Sequence, residues 1–182
     1  TANEFGDWDT VLHTFTFANA VFQGLRRAPS PELARGLFDA AMSIYLDRFL
    51  NIPSAPLPKV EEGVADSKRL LDELLTTLDR QQQVNEAGHL VARYLASGAG
   101  AEPLLATLGH ALFREDRDFH TIQAVEAAFR VYSLTEDPAE KIHVLIAAAR
   151  YLAAHAPTPR AQGQTYQIAY RLHRGERIHE EA

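Results

Sequence analysis

The sequence predicts an all-α fold, an antiparallel helical bundle or a set of stacked helical hairpins with seven to eight helices. Three observations predict it. Apolar residues recur at three- and four-residue steps along nearly the whole chain, no stretch alternates with a period of two, and proline or glycine interrupts the pattern at short intervals. Short connections make successive helices antiparallel neighbours. The 182 residues are expected to form one helical domain over 1–182, a size that buries about two-thirds of the surface its unfolded chain exposes.

The first helix begins at Asp7 or Asp9, carries Trp8, Val11, Leu12, Phe15, Val21, Phe22 and Leu25, and ends before Ala28-Pro29. Ser30-Pro31-Glu32 then supplies an N-cap, a first-turn proline and an acid at the positive end of the helix dipole. Leu33, Leu37, Phe38, Ala41, Met42, Tyr45, Leu46 and Phe49 follow as the apolar series of helix two. Asn51 to Pro58 holds three prolines. Each lacks an N–H and restrains the residue before it, so residues 51–65 read as an extended crossover linker. Asp66 caps a third helix through Leu70, Leu71, Leu74, Leu75 and Leu78. The polar run Asp79 to Gln83 either continues that helix or bends it into a segment with Val84, His89, Leu90, Val91, Tyr94 and Leu95.

Ser97-Gly98-Ala99-Gly100 is a stop, and Glu102-Pro103 restarts a helix through Leu104, Leu105, Leu108, Leu112 and Phe113. After the charged turn Glu115 to Asp118, Asp118 caps a helix with Phe119, Ile122, Val125 and Phe129. Asp137-Pro138 opens another through Ile142, Leu145, Ile146 and Leu152, and Thr158-Pro159 starts the last, which ends near Gly175. Arg93-Tyr94-Leu95-Ala96 recurs as Arg150-Tyr151-Leu152-Ala153. A duplicated hairpin explains the echo, and so does chance among helices rich in Ala, Leu and Arg.

Composition excludes several functions. There is no cysteine, which removes disulfides, thiolate nucleophiles and any iron–sulfur cluster held by this chain. The formal charge is −6 and the basic residues form no stripe, so nucleic acid is not an expected partner. The longest apolar runs, such as Val144 to Ala149, fall far short of the roughly 20 residues of a membrane span, and the chain reads as a soluble, cytoplasmic one. It opens on Thr1 with no charged n-region or apolar h-region before the first helix, and is expected to be a processed or truncated piece. Gly-x-Ser-x-Gly and glycine-rich phosphate cradles are missing.

Histidine is the main functional clue. Eight occur, and His13, His89, His110, His120 and His143 lie inside helical patterns among apolar neighbours. An imidazole turned inward needs a hydrogen-bond partner or a metal, since a buried unsatisfied polar group costs about 1–3 kcal/mol. The segment Gly109 to His120 gathers His110, His120, Glu115, Asp116 and Asp118 around one turn, with the two histidines at heights that differ by only about 5 Å on neighbouring antiparallel helices. Glu86-Ala87-Gly88-His89 has the Glu-x-x-His spacing that points both side chains inward in di-iron bundles, which use two such pairs and two further glutamates. A mononuclear site of His89, His110, His120 and an acid suits non-haem iron or zinc. Glu86 and Asp116 are the candidate carboxylate ligands or partners that orient an imidazole. The plainer alternatives are structural histidines paired within the fold, and a solvated inter-helix turn of alternating charge over Arg114 to Asp118. Trp8 and the phenylalanines at helical spacing read as core.

His13 to Ala20, Tyr45 to Asn51, Arg114 to His120 and the closing Ala148 to His155 with Thr158-Pro159-Arg160 resemble the helical region of uncharacterised bacterial proteins that also carry a Rieske-type iron–sulfur module. A fainter similarity is to questin-oxidase-like helical proteins. The resemblance implies an oxidoreductase setting, with this part holding substrate or a metal, iron or zinc, beside an electron-transfer module. The Rieske ligands need two Cys and two His, so that cluster would lie outside this chain. The matching positions are His13, His110 and His120. The competing expectation is a non-catalytic helical scaffold that presents a groove to a partner protein.

Overall fold

Eight helices carry most of the described residues, and no strand occurs among them. The structure is a computed structural model and describes residues 5–50, 55–60 and 66–177, with side chains from Asp9 onward. The helices are α1 (Phe5–Arg27), α2 (Pro31–Asp47), α3 (Ser67–Thr77), α4 (Val84–Ala96), α5 (Ala101–Arg114), α6 (Phe119–Leu134), α7 (Pro138–Ala154) and α8 (Ala161–His173). They divide into two compact units, Thr1–Leu57 with Phe119–Leu145 and Pro58–Asp118 with Ile146–Ala182.

In the first unit α1 packs against α2 and α6. The Ser30 hydroxyl accepts from Leu33 N–H at 3.1 Å and Pro31 fills the first turn, so α2 starts where the cap and proline predict. Two glycines bring α1 and α2 close. A Cβ on Gly36 would stand 2.8 Å from Val21 Cγ2, and one on Gly24 would stand 2.9 Å from Leu33 Cδ2. Only a bare Cα fits that approach. The buried apolar residues of this unit are few and mostly small: Leu12, Val21, Ala40, Ala124, Val125, Ala127 and Ala128, joined by Val144 and Leu145 from the middle of α7.

In the second unit α3 packs on α4 and α5. Asp66 Oδ1 accepts from Arg69 N–H and sets the start of α3, and the break left open over Asp79 to Gln83 is real, since Leu78 closes the helix and Gln82 takes a left-handed conformation at φ 59°. Its core is leucine-rich, with Leu70, Leu74, Leu78, Leu90, Leu104, Leu108 and Leu152 all buried. Tyr94 is buried as well and donates its hydroxyl to Gly100 O at 2.7 Å, while burial pushes its phenol up from the ordinary value. Gly88 admits Arg150, whose Nε would lie 2.7 Å from a Cβ there, and burial pulls that guanidinium down from its usual pKa. The echoed Tyr94 and Tyr151 are both buried, but Tyr151 stacks on His155, so the two copies sit in different surroundings.

Three boundaries differ from expectation. The first helix begins at Phe5 rather than at Asp7 or Asp9, and the second ends at Asp47, before Phe49. The last helix starts at Ala161 rather than at Thr158-Pro159, because Thr158 is engaged by Glu115 and the capping carboxylate comes from Asp116. Of the linker, 51–54 and 61–65 lie outside the described residues, and 55–60 carry no regular structure.

Candidate functional site

The six residues expected to hold a metal are distributed between the units. His13 on α1 and His120 in the first turn of α6 meet in the first unit, their rings edge to face with centroids 5.0 Å apart, and Phe119 lies against His120 at 3.8 Å. His89, His110, Glu86 and Asp116 belong to the second unit. Among the described residues no three His, Asp or Glu side chains gather closely enough to hold a metal ion.

Several histidines expected to turn inward do not. His13, His110 and His143 are exposed, and His89 and His120 are half-buried. For His110 the reason is angular: Leu104, Leu108, Ala111 and Leu112 form the buried side of α5, and at about 100° per residue position 110 falls on the opposite side. Glu86 is likewise exposed in the first turn of α4, where an acid favours the helix dipole. The Glu-x-x-His spacing recurs at Glu140–His143 on α7, again with both residues exposed, and at Glu176–His179, whose histidine lies outside the described residues.

The charged turn after α5 is only partly solvated, with Asp118 exposed and Glu115 buried. Glu115 is only 7% exposed. Its Oε1 accepts from Arg160 Nη2 at 2.7 Å, Arg160 Nε at 3.1 Å and Arg114 Nε at 3.2 Å, and its Oε2 accepts from the Thr158 N–H and hydroxyl, both at 2.8 Å. Asp79 joins through Arg114 at 3.1 Å and through Arg160. Burial alone would raise the Glu115 carboxyl, but the Arg160 and Thr158 hydrogen bonds outweigh it and hold the group below the ordinary carboxylate value. The same contacts with Glu115 and then Asp79 raise Arg160 above its usual pKa. Asp116 spends both oxygens on α8, Oδ2 accepting from Ala161 N–H at 2.8 Å and Oδ1 from Gln162 N–H at 2.7 Å. These carboxylates form a clasp that ties the α5–α6 turn to the segment ahead of α8. Glu115 is saturated with donors and Asp116 is committed to the start of α8, so the clasp is a structural tie. Reading the run as alternating surface charge missed it, because the partners Thr158 and Arg160 stand more than forty residues away in sequence.

The open chemistry is apolar and lies on α2. Buried Ala40 and the half-buried Leu33, Gly36, Ser43 and Asp47 mark the side toward α1. On the opposite side Leu37, Phe38, Met42, Tyr45 and, just past the helix end, Phe49 are half or more exposed, Phe38 to 78%. Arg48 caps one end of this face, its guanidinium 5.1 Å from the Tyr45 ring and 5.4 Å from the Phe49 ring. No family model, curated protein or solved structure matches the chain. The site therefore has to be judged on its own geometry. Phe17, Phe22, Phe113 and Phe119 are exposed too, so the expectation that the phenylalanines form the core is corrected, while the Trp8 side chain lies outside the described residues. No helix among the described residues is long and apolar enough to cross a membrane.

Proposed function

We propose that the chain is a helical interaction module, and that the outer face of α2 receives an apolar helix of a protein partner. The carrying observation is the exposure of Leu37, Phe38, Met42 and Tyr45 along α2, and of Phe49 just past its end, on the side away from α1. Large apolar side chains offer about 150–250 Å² each, so these five at half to four-fifths exposure present on the order of 600 Å². That is the upper end of the roughly 300–600 Å² patches that monomeric proteins keep, which are often functional. A face this wide, at three- and four-residue spacing, suits a helix laid along it.

The test is the double variant Phe38→Lys/Met42→Lys, followed by urea unfolding and by binding of a fluorescent apolar dye. The reading expects stability within about 0.5 kcal/mol of the parent and a several-fold loss of dye or partner binding. A loss of more than about 2 kcal/mol would mark the face as part of the chain's own core.

A second reading, the metal-holding part of an oxidoreductase beside a Rieske-type module, is favoured by one observation, the His13–His120 pair. Two imidazoles fill two of the four positions of a tetrahedral zinc, and the described residues add no third ligand. They do not make a complete site. Zinc titration of the parent and of His120→Ala by calorimetry tests it: stoichiometric binding lost in the variant supports a two-histidine arm completed from outside the chain, and equal heats in both remove it.

A further inference from the structure

Resting on α2 as a docking face, we infer that its occupant is α2 of a second copy of this chain, antiparallel across a two-fold axis. The centre of the outer face runs Ala34, Phe38, Ala41, Tyr45, a four-three-four spacing that repeats as a coiled-coil seam does. Small and large residues alternate along it. When the helix is turned end for end about an axis between residues 39 and 40, Phe38 falls opposite the other copy's Ala41 and Tyr45 opposite its Ala34, so each aromatic ring meets a methyl group. Facing large with small is what lets two helix surfaces interdigitate without voids. A parallel pairing in register would instead set Phe38 on Phe38 and Ala41 on Ala41, which crowds one level and empties the next.

Area agrees with this occupant. The face offers on the order of 600 Å² per copy, so two copies bury about 1,200 Å² in all, the lower end of specific interfaces, and an isologous interface requires the self-complementary pattern just described. Glu32 and Asp47 come opposite one another in this register, but both lie toward the α1 side of the helix, away from the seam. Leu37 and Met42 flank the centre and close it from water.

The chain has no cysteine, so engineered thiols report on the register without interference. Ala34→Cys alone places its two thiols eleven residues apart along the paired helices, about 16 Å, too far for a disulfide. Mixed with Tyr45→Cys, it puts the two thiols opposite each other. The expected result is a dimer by sedimentation velocity at micromolar concentration, a monomer for Phe38→Lys with unchanged circular dichroism, and oxidative cross-linking in the mixture of Ala34→Cys with Tyr45→Cys but not in Ala34→Cys alone. A parent that stays monomeric to about 100 μM, at which even weak self-association with ΔG near −5.5 kcal/mol is populated, overturns the inference. If that monomer binds apolar dye through α2, the docking reading survives and the partner is a different protein. If it binds none, the face is covered within the chain and both fail. Cross-linking of Ala34→Cys alone overturns the antiparallel register.

Discussion

The two units handle their side chains in opposite ways. The second turns leucines inward and satisfies a buried carboxylate, Glu115, with three donor residues from two segments of chain. The first buries mostly alanine and valine while α2 shows its phenylalanines, tyrosine and methionine to the outside. A polar group that has found all its partners is structural, and a large apolar side chain that has found none is the better candidate for recognition. The comparison assigns stability to the Glu115 clasp and binding to the α2 face, and it fails if substitutions at the two places do not separate in that way.

The largest effect should come from the clasp. Glu115→Ala strands Arg160, Arg114 and the Thr158 N–H, and is expected to cost about 3 kcal/mol by urea denaturation, the lower end of the cost of breaking a buried pair because Arg160 remains partly solvated. A cost under about 0.5 kcal/mol would make the clasp ornamental. Next in size, Gly36→Ala drives a methyl against Val21 and is expected to lose about 1–3 kcal/mol by overpacking between α1 and α2. Little change there would show that the two helices part without penalty.

A smaller effect separates the units by pH. Glu115 is held below its ordinary value of 4.5 in the folded chain, so its contribution is fully present above that pH and is lost as pH falls through the lower, folded value. Glu115→Gln should therefore be less stable than the parent at neutral pH, with the difference shrinking between about pH 5 and pH 3. A constant difference over that range would mean that ionisation of Glu115 contributes nothing. The smallest stability effect belongs to Phe38→Lys/Met42→Lys.

Much of the fold was legible because helix starts carry local chemistry. Ser30-Pro31, Asp66 and Asp137-Pro138 mark α2, α3 and α7, and caps need no knowledge of the rest of the chain. The clasp was not legible, since a Glu between two arginines looks the same in sequence whether it meets water or a distant Thr158 and Arg160. The series Leu37 to Leu46 was read correctly as apolar and helical, while Phe49 falls just past the helix end. Periodicity reports that a face avoids water, not whether the same chain covers it, and on α2 the larger apolar side chains stand on the bare side. Which histidines turn inward was not legible for a related reason, because an apolar neighbour in sequence is not a neighbour across the helix, as His110 demonstrates.

Hydrogen exchange read peptide by peptide, at micromolar and at hundredfold higher chain concentration, tests the central assignment most directly. Association through α2 predicts that amides within residues 31–47 gain protection with concentration while 114–118 and 158–162, held by the clasp, stay constant. Protection of α2 that does not change with concentration, or that changes equally in the clasp, would contradict the division between a binding face and a structural clasp.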